Sequence, residues 1–212
     1  MPLVIKYLLL ITFSYLLGNI SFARIISHFK KDDITARGSG NPGTFNMIRS
    51  FGLKLGLVTL LLDVIKGAIP ALIGYLAFGG VDGIQSTIAL YACGLATVTG
   101  HIYPIIYKFK GGKGVASTLG VFMVASPLAT VVVFFVAFWE LWFFDYGSVF
   151  SFICLTAMLT IGLISNWGDL TVCLLITAIY LLVMFAHRQN IYRLLNGKEN
   201  KANLKKALFK TK

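Results

Sequence analysis

Apolar runs recur along the whole chain, and they constrain its fold more than any other feature. Seven runs contain few charges, at about residues 3–22, 53–78, 84–106, 114–126, 127–144, 148–165 and 168–187. Most approach the roughly 20 residues that a helix needs to cross a bilayer. They do not alternate apolar and polar residues, as the strands of a membrane β-barrel would. The pattern predicts an all-α integral membrane protein of about seven transmembrane helices, folded as one domain over residues 1–212.

The composition supports this fold class. Of the 212 residues, 57% are hydrophobic and only 13% are charged, whereas soluble domains carry about 25% charged residues. The fourth apolar run is short for a full crossing. We therefore expect it to be a broken or re-entrant element, which membranes tolerate where it lines a cavity.

The distribution of basic residues predicts the orientation. They cluster in residues 24–49, 108–113 and 188–212, and loops rich in lysine and arginine remain in the cytoplasm. An N-terminus outside and a cytoplasmic C-terminus places all three clusters on the cytoplasmic face, where we expect the active site. The net charge of +11 is explained by this topology and by attraction to anionic membrane lipid, so we expect no nucleic-acid partner.

The first basic cluster overlaps the stretch RGSGNPGTFNMIRSFG, residues 37–52. Asn41-Pro42-Gly43-Thr44 has the proline and glycine of a β-turn, and glycines on either side of Ser39 allow successive N–H groups to point at an anion. Asn46 and Arg49 are three apart and would share a helix face. Arginine binds phosphate through two parallel hydrogen bonds. The segment predicts an anion site, although an ordinary loop with a topological arginine is the plainer interpretation.

The second cluster opens the stretch KFKGGKGVASTLG, residues 108–120. Its spacing is not that of a Walker P-loop. Gly111, Gly112 and Gly114 nevertheless permit close backbone approach to a ligand, Lys113 supplies a positive charge, and a helix starting at Val115 would attract an anion to its N-terminus. We predict that this loop binds phosphate or acyl phosphate. A loop that is basic only for topology would need the lysines but not the glycines.

The third cluster overlaps the stretch HRQNIYRLLNGKE, residues 187–199. His187 and Asn190 are three apart, so we predict that they share a helix face, with Arg188 and Arg193 pointing elsewhere. Asp63 and Lys66 form a charged pair inside the second apolar run. Their spacing fits a structural pair as well as a functional one.

These motifs, together with DVIKG at residues 63–67, resemble those of the bacterial acyl-phosphate:glycerol-3-phosphate acyltransferase family, PlsY. The resemblance implies an integral enzyme of the bacterial cell (plasma) membrane with about seven helices. It would transfer a fatty acyl group from acyl phosphate to the 1-hydroxyl of glycerol 3-phosphate. The products would be lysophosphatidic acid and inorganic phosphate, in phospholipid biosynthesis. No cofactor or metal is implied, and a soluble enzyme that supplies acyl phosphate is a candidate partner.

The resemblance also implies roles for single residues. Catalysis would involve Lys113, His187 and Asn190. The acyl-phosphate site would comprise Gly111, Gly112, Lys113 and Gly114. The glycerol 3-phosphate site would comprise Ser39, Asn41, Asn46, Arg49, Ser151, His187 and Asn190. The chain departs from the family pattern at Asp145, where arginine is usual, and at Thr44-Phe45, where small residues are usual.

Two alternatives remain open from the sequence. The proton of the attacking hydroxyl could pass to His187 or to a substrate phosphate. A membrane transporter of a phosphorylated or organic anion is the alternative function. Such a protein is expected to show repeated halves with charges near the membrane midplane, whereas the polar motifs here gather on one face.

Overall fold

The structure is a computed structural model that describes residues 2–80 and 83–209. The described residues form eleven α-helices: α1 Leu3–Gly18, α2 Phe22–Phe29, α3 Thr44–Phe51, α4 Leu53–Ala77, α5 Ile84–Ile102, α6 Val115–Ala125, α7 Pro127–Phe144, α8 Gly147–Ser165, α9 Leu170–Ala186, α10 Arg188–Leu195 and α11 Leu204–Leu208. Two short 3-10 turns, Ile34–Ala36 and Ile105–Tyr107, lie in the connections. The predicted all-α membrane architecture is confirmed.

The helices differ in whether they can cross a bilayer. By length and apolarity five stretches of the described chain qualify: Leu3–Phe29, Leu53–Ala77, Ile84–Tyr107, Pro127–Phe144 and Gly147–Ser165. The pair α9 and α10, bent by 56°, adds a sixth if it counts as one span. Helix α6 has eleven residues, or about 17 Å at 1.5 Å per residue, which is short of a crossing. All seven predicted apolar runs are helical, whereas seven crossings and their orientation stay predictions.

Helix α6 is enclosed by its neighbours. Every residue from 117 to 122 is buried, which is how a short apolar helix is protected at membrane depth. Glycines bring it against α4. A Cβ on Gly67 would lie 2.0 Å from the Ser117 carbonyl oxygen, and one on Gly120 would lie 2.0 Å from the Val64 oxygen. Because Gly67 and Gly120 have no side chains, the backbones of α4 and α6 can touch. Small residues at the contacts between membrane helices commonly allow such close packing.

Glycines also allow close backbone contact between α1 and α5. A Cβ on Gly18 would lie 2.3 Å from the Thr97 oxygen, and one on Gly100 would lie 2.2 Å from the Tyr15 oxygen. The outward faces of α1, α4 and α7 expose large apolar side chains, the surface that a helix offers to lipid. The central helices are thereby fixed tightly, while the periphery is apolar.

The three basic clusters meet at one end of the bundle. Arg24 Nη2 donates to the Lys110 carbonyl oxygen at 2.8 Å, which joins the first cluster to the second. Arg49 Nη1 donates to the Lys201 oxygen at 3.3 Å, which joins the first to the third. At the opposite end Lys6 donates to the Ala77 oxygen. Packing therefore gathers the polar motifs on one face.

Candidate active site

A cavity lies where the basic clusters meet. Most of the predicted site residues line it: Ser39, Asn41, Asn46, Arg49, Lys113, Gly114, Ser151, His187 and Asn190. A second part of the lining is apolar and comes from α3, α4, α6, α7 and α8; it includes Phe45, Leu57, Leu119, Phe134, Phe138 and Phe150. One cavity thus offers a charged region and a hydrophobic region side by side. Phe45 packs edge-on against Phe150 at 5.9 Å between ring centroids.

Arg49 projects from α3 into the charged region. Its Nη2 donates to the Ser39 hydroxyl at 3.1 Å and more weakly to Asn46 Oδ1 at 3.4 Å. Burial lowers the pKa of the Arg49 guanidinium from its ordinary value, yet an arginine stays protonated in proteins. Arg49 and Ser39 therefore present a permanent positive charge and a hydroxyl together.

Asn46 stands behind this pair. Its Oδ1 accepts from the Ser39 N–H at 3.0 Å, and its Nδ2 donates to the Ile34 and Arg37 oxygens at 3.2 and 2.9 Å. The side chain is 1% exposed. Through these contacts the side-chain amide of Asn46 holds the loop that carries Ser39. A contact of Asn46 with glycerol 3-phosphate stays a prediction.

Two glycines of the second motif have a packing role. The Gly111 N–H donates to the Ile102 oxygen at 3.1 Å, and the Gly112 N–H donates to the His101 oxygen at 3.0 Å. A Cβ on Gly111 would lie 2.0 Å from the His101 oxygen, and one on Gly112 would lie 2.2 Å from His101 Nε2. Glycine at both positions therefore lets the loop fold back closely on the end of α5. The N–H groups of Gly111 and Gly112 already have acceptors, and neither residue is among those that line the cavity. Their contact with acyl phosphate stays a prediction.

Lys113 and Gly114 do line the cavity. Gly114 has φ +89° and precedes α6, so a left-handed turn places Lys113 beside the N-terminus of that helix. The Lys113 ammonium donates to Asn190 Oδ1. Burial, with smaller contributions from the positive charges of Arg193 and Arg49, lowers the pKa of Lys113 to about 8. A positive charge and the free N–H groups of a helix start thus face the same space.

A polar chain continues from Lys113 through the third motif. Asn190 Nδ2 donates to Glu199 Oε1 at 2.6 Å, and Arg193 Nε contacts Glu199 Oε2 at 3.0 Å. The prediction that Arg193 points elsewhere is wrong, because it follows Asn190 by three residues in α10 and shares its face. Glu199 was not identified from the sequence. It lies beyond α10 and returns after the turn at Gly197, whose φ is +65°, so no local pattern marks it.

His187 lies at the break between α9 and α10. Its Nδ1 is 2.8 Å from the Val183 carbonyl oxygen. A carbonyl can only accept, so Nδ1 carries the proton and Nε2 of the neutral ring is left as an acceptor. Ser151, near the start of α8, donates to the Gly147 oxygen at 2.7 Å. Both side chains are buried in the lining.

Asp63, Lys66 and His101 form a buried polar group below the loops. Lys66 Nζ lies 3.0 Å from Asp63 Oδ1, 2.8 Å from His101 Nδ1 and 2.7 Å from the Ile20 oxygen. These contacts tie α4 and α5 to the start of α2, so the pair has a structural role. Asp63 and His101 also line the cavity. Among the described residues, no group of three His, Cys, Asp or Glu is arranged to hold a metal ion.

Comparison with known proteins identifies the chain's family. The family model described as Glycerol-3-phosphate acyltransferase matches residues 8–197. The chain belongs to this family. The glycerol-3-phosphate acyltransferase of Aquifex aeolicus (strain VF5) is 40% identical over 198 residues, covering 92% of this chain and 99% of that relative. The one from Clostridioides difficile (strain 630) is 36% identical over 207 residues, covering 96% and 98%.

Solved structures agree with this assignment. The glycerol 3-phosphate form of PlsY, an integral membrane glycerol 3-phosphate acyltransferase, matches with a TM-score of 0.87 at 36% identity, over 97% of this chain and all of that one. Its lysophosphatidic acid form matches with a TM-score of 0.83 at 37% identity, over the same shares. Membership of an acyltransferase family argues against the transporter alternative.

Proposed function

We propose that the protein transfers a fatty acyl group from acyl phosphate to the 1-hydroxyl of glycerol 3-phosphate, in the cell membrane of a bacterium. The products are lysophosphatidic acid and inorganic phosphate, and the reaction is a step of phospholipid biosynthesis. One observation carries the proposal. A single cavity combines two positively charged positions, Arg49 and Lys113, with a hydrophobic wall. Two phosphorylated substrates, one with a fatty chain, need all three.

The acyl phosphate is assigned to Lys113 and the start of α6. Its phosphoryl group would accept from the Lys113 ammonium and from the first N–H groups of the helix. Its chain would lie along the apolar wall that contains Leu119, Phe134 and Phe138. In the transition state the same donors would stabilise the charge that develops on the carbonyl oxygen and the leaving phosphate.

The glycerol 3-phosphate is assigned to Arg49 and Ser39. A guanidinium and a hydroxyl 3.1 Å apart can bind two oxygens of one phosphate. The glycerol hydroxyls would then point towards His187 and Asn190, which line the same cavity. The similar PlsY structure in its glycerol 3-phosphate form supports this class of acceptor.

The reaction is a direct transfer between the two substrates. The hydroxyl oxygen bonds to the acyl carbonyl carbon, and the bond from that carbon to the phosphate oxygen breaks. Inorganic phosphate leaves with the electron pair. The hydroxyl proton passes to His187 Nε2 or to a substrate phosphate. Holding both substrates in one cavity supplies much of the acceleration, because the attack becomes effectively intramolecular.

The test is a product assay on the purified protein in liposomes. Glycerol 3-phosphate is supplied with palmitoyl phosphate and, separately, with palmitoyl-CoA, and both lysophosphatidate and released phosphate are measured. We expect product from palmitoyl phosphate alone. Lys113→Ala should abolish it, whereas Lys110→Ala, an exposed lysine of the same loop, should retain it.

Two outcomes would contradict the proposal. Product formed from palmitoyl-CoA but not from palmitoyl phosphate would overturn the assigned donor. Absence of product from either donor, with protein that unfolds cooperatively on heating, would overturn the reaction.

A further inference from the structure

Part of the cavity wall comes from a segment that the proposed reaction does not use. The C-terminal segment, residues 199–208, follows the part of the chain matched by the family model, which ends at residue 197. Glu199 and Asn200 lie at the polar end of the cavity, and Leu204 lies in its lining. Leu204 is 5% exposed and Ala202 is fully buried, so this segment packs into the molecule.

Asp145, in the connection between α7 and α8, holds the C-terminal segment. Its main-chain oxygen accepts from the Ala202 N–H at 2.7 Å. Its carboxylate accepts from the N–H groups of Asn203 and Leu204, each at 3.1 Å. Next to it, Lys201 Nζ donates to the Phe144 oxygen at 2.8 Å. Four hydrogen bonds thus join two short stretches that are nearly sixty positions apart.

The carboxylate is chemically necessary for two of these bonds. Both N–H groups are donors, so only a side chain with acceptor atoms, such as a carboxylate, can pair with them. Asp145 also has φ +62°, a left-handed conformation that aspartate, asparagine and glycine adopt more readily than other residues. The Asp145 side chain and its backbone conformation therefore both suit the turn that holds the C-terminal segment.

Leu204 packs where the hydrophobic region of the cavity is formed. It belongs to the same buried cluster as Leu119, Leu141 and Phe150, and all four side chains line the cavity. Arg49, which we assign to glycerol 3-phosphate, donates to the Lys201 oxygen of the same segment. The segment therefore touches both regions of the site.

We propose that Leu204 is a specificity-determining residue that contacts the fatty acyl chain, and that Asp145 is the positioning residue that holds it in the wall. The proposal rests on the acyl transfer proposed above. Removing bulk at Leu204 makes room for a longer chain, and adding bulk takes that room away. Releasing the segment from Asp145 has the same effect as removing bulk, because Leu204 then leaves the wall.

The test compares the rates of lysophosphatidate formation from lauroyl, palmitoyl and stearoyl phosphate. For Leu204→Ala we expect the stearoyl-to-lauroyl ratio to rise by about fourfold or more, since one buried methylene contributes about that factor. Leu204→Phe should lower the ratio. Asp145→Gly, which keeps the left-handed turn but loses the carboxylate, should raise it. Asp145→Asn, which retains one acceptor, should give an intermediate value.

Leu208→Ala is the matched control, because Leu208 is an exposed leucine of the same segment that does not line the cavity; its ratio should equal that of the wild type. The ratio does not depend on the amount of folded enzyme. An unchanged ratio in Leu204→Ala, Leu204→Phe and Asp145→Gly, each still forming product, would overturn this inference alone. Absence of product from every acyl phosphate in the wild type would instead overturn the proposed function.

Discussion

Lys113 illustrates how its surroundings tune a single side chain. Its ammonium is largely buried and lies near the positive charges of Arg193 and Arg49. Both effects disfavour the charged form, so the pKa of Lys113 falls to about 8. Near neutral pH most of the charge is present, and it is lost as the pH rises through that value. A bound phosphate favours the charged form and raises the pKa again.

This tuning predicts how binding depends on pH. Affinity for a non-hydrolysable acyl phosphonate should be nearly constant below pH 8 and fall above it, by up to tenfold per pH unit, because binding then requires uptake of a proton. In Lys113→Arg the guanidinium stays charged, so this loss should disappear. Inhibition constants measured from pH 7 to 10 provide the check. Dividing the wild-type constants by those of Lys113→Arg cancels the titration of the phosphonate, and a flat quotient would rule out Lys113 as the titrating group.

The residues of the charged region were only partly predictable from sequence. The spacing of His187 and Asn190 matches a helix turn and predicts that they share a face, and the same spacing relates Asn190 to Arg193. Glu199 could not be found in this way, since its contacts with Asn190 and Arg193 depend on a turn after α10. Nor could the acceptors of the Gly111 and Gly112 N–H groups, which lie at the end of α5.

At the scale of secondary-structure elements, the N-terminal end of α6 lies at the candidate site, and the helix packs closely against α4. Its glycine at position 120 meets the main chain of Val64, and Ser117 meets Gly67. These contacts set the depth of α6 in the bundle and hence the position of Lys113 just before its first turn. A helix too short to span the bilayer is thereby made a rigid part of the site.

Gly120→Ala should therefore destabilise the protein. The added methyl group would lie 2.0 Å from the Val64 oxygen and 2.8 Å from the Ala68 nitrogen, so the two helices must separate. Overpacking of this kind costs about 1–3 kcal/mol, and we expect a lower melting temperature in detergent together with reduced turnover. Gly168→Ala is the control, because nothing lies within 4 Å of a Cβ added there. Equal melting temperatures for the two variants would contradict the assigned role of the contact.

At the scale of the whole molecule, the basic clusters lie together at one end of the helix bundle. The three basic clusters contact one another around the cavity, through Arg24, Arg49 and Lys113. The periphery of the helices is apolar. In the proposed reaction, this arrangement would let the water-soluble acceptor and the donor with its fatty chain reach the same cavity from different surroundings.

The orientation predicted from charge can be tested in cells. Single cysteines replacing Lys30 and Gly168, both exposed, are compared for labelling by a membrane-impermeant thiol reagent. We expect Gly168→Cys to react in intact cells and Lys30→Cys to react only after the membrane is opened, because basic loops remain in the cytoplasm. The unsubstituted chain gives the background from its own three cysteines. The reverse labelling pattern would invert the predicted topology.

The sequence by itself determined the fold class, because a bilayer accepts only segments whose backbone hydrogen bonds are satisfied internally, and apolar runs of this length form helices there. It also determined which three motifs supply most of the polar residues of the cavity. Tertiary structure alone decided how these residues are used: Asn46 and the glycines at 111 and 112 hold loops, Arg193 and Glu199 join the charged region, and Asp145 brings Leu204 into the wall. The physical reason is that each of these contacts joins segments distant along the chain or separated by a turn. Their distances are set by helix packing, to which no local pattern in the sequence corresponds.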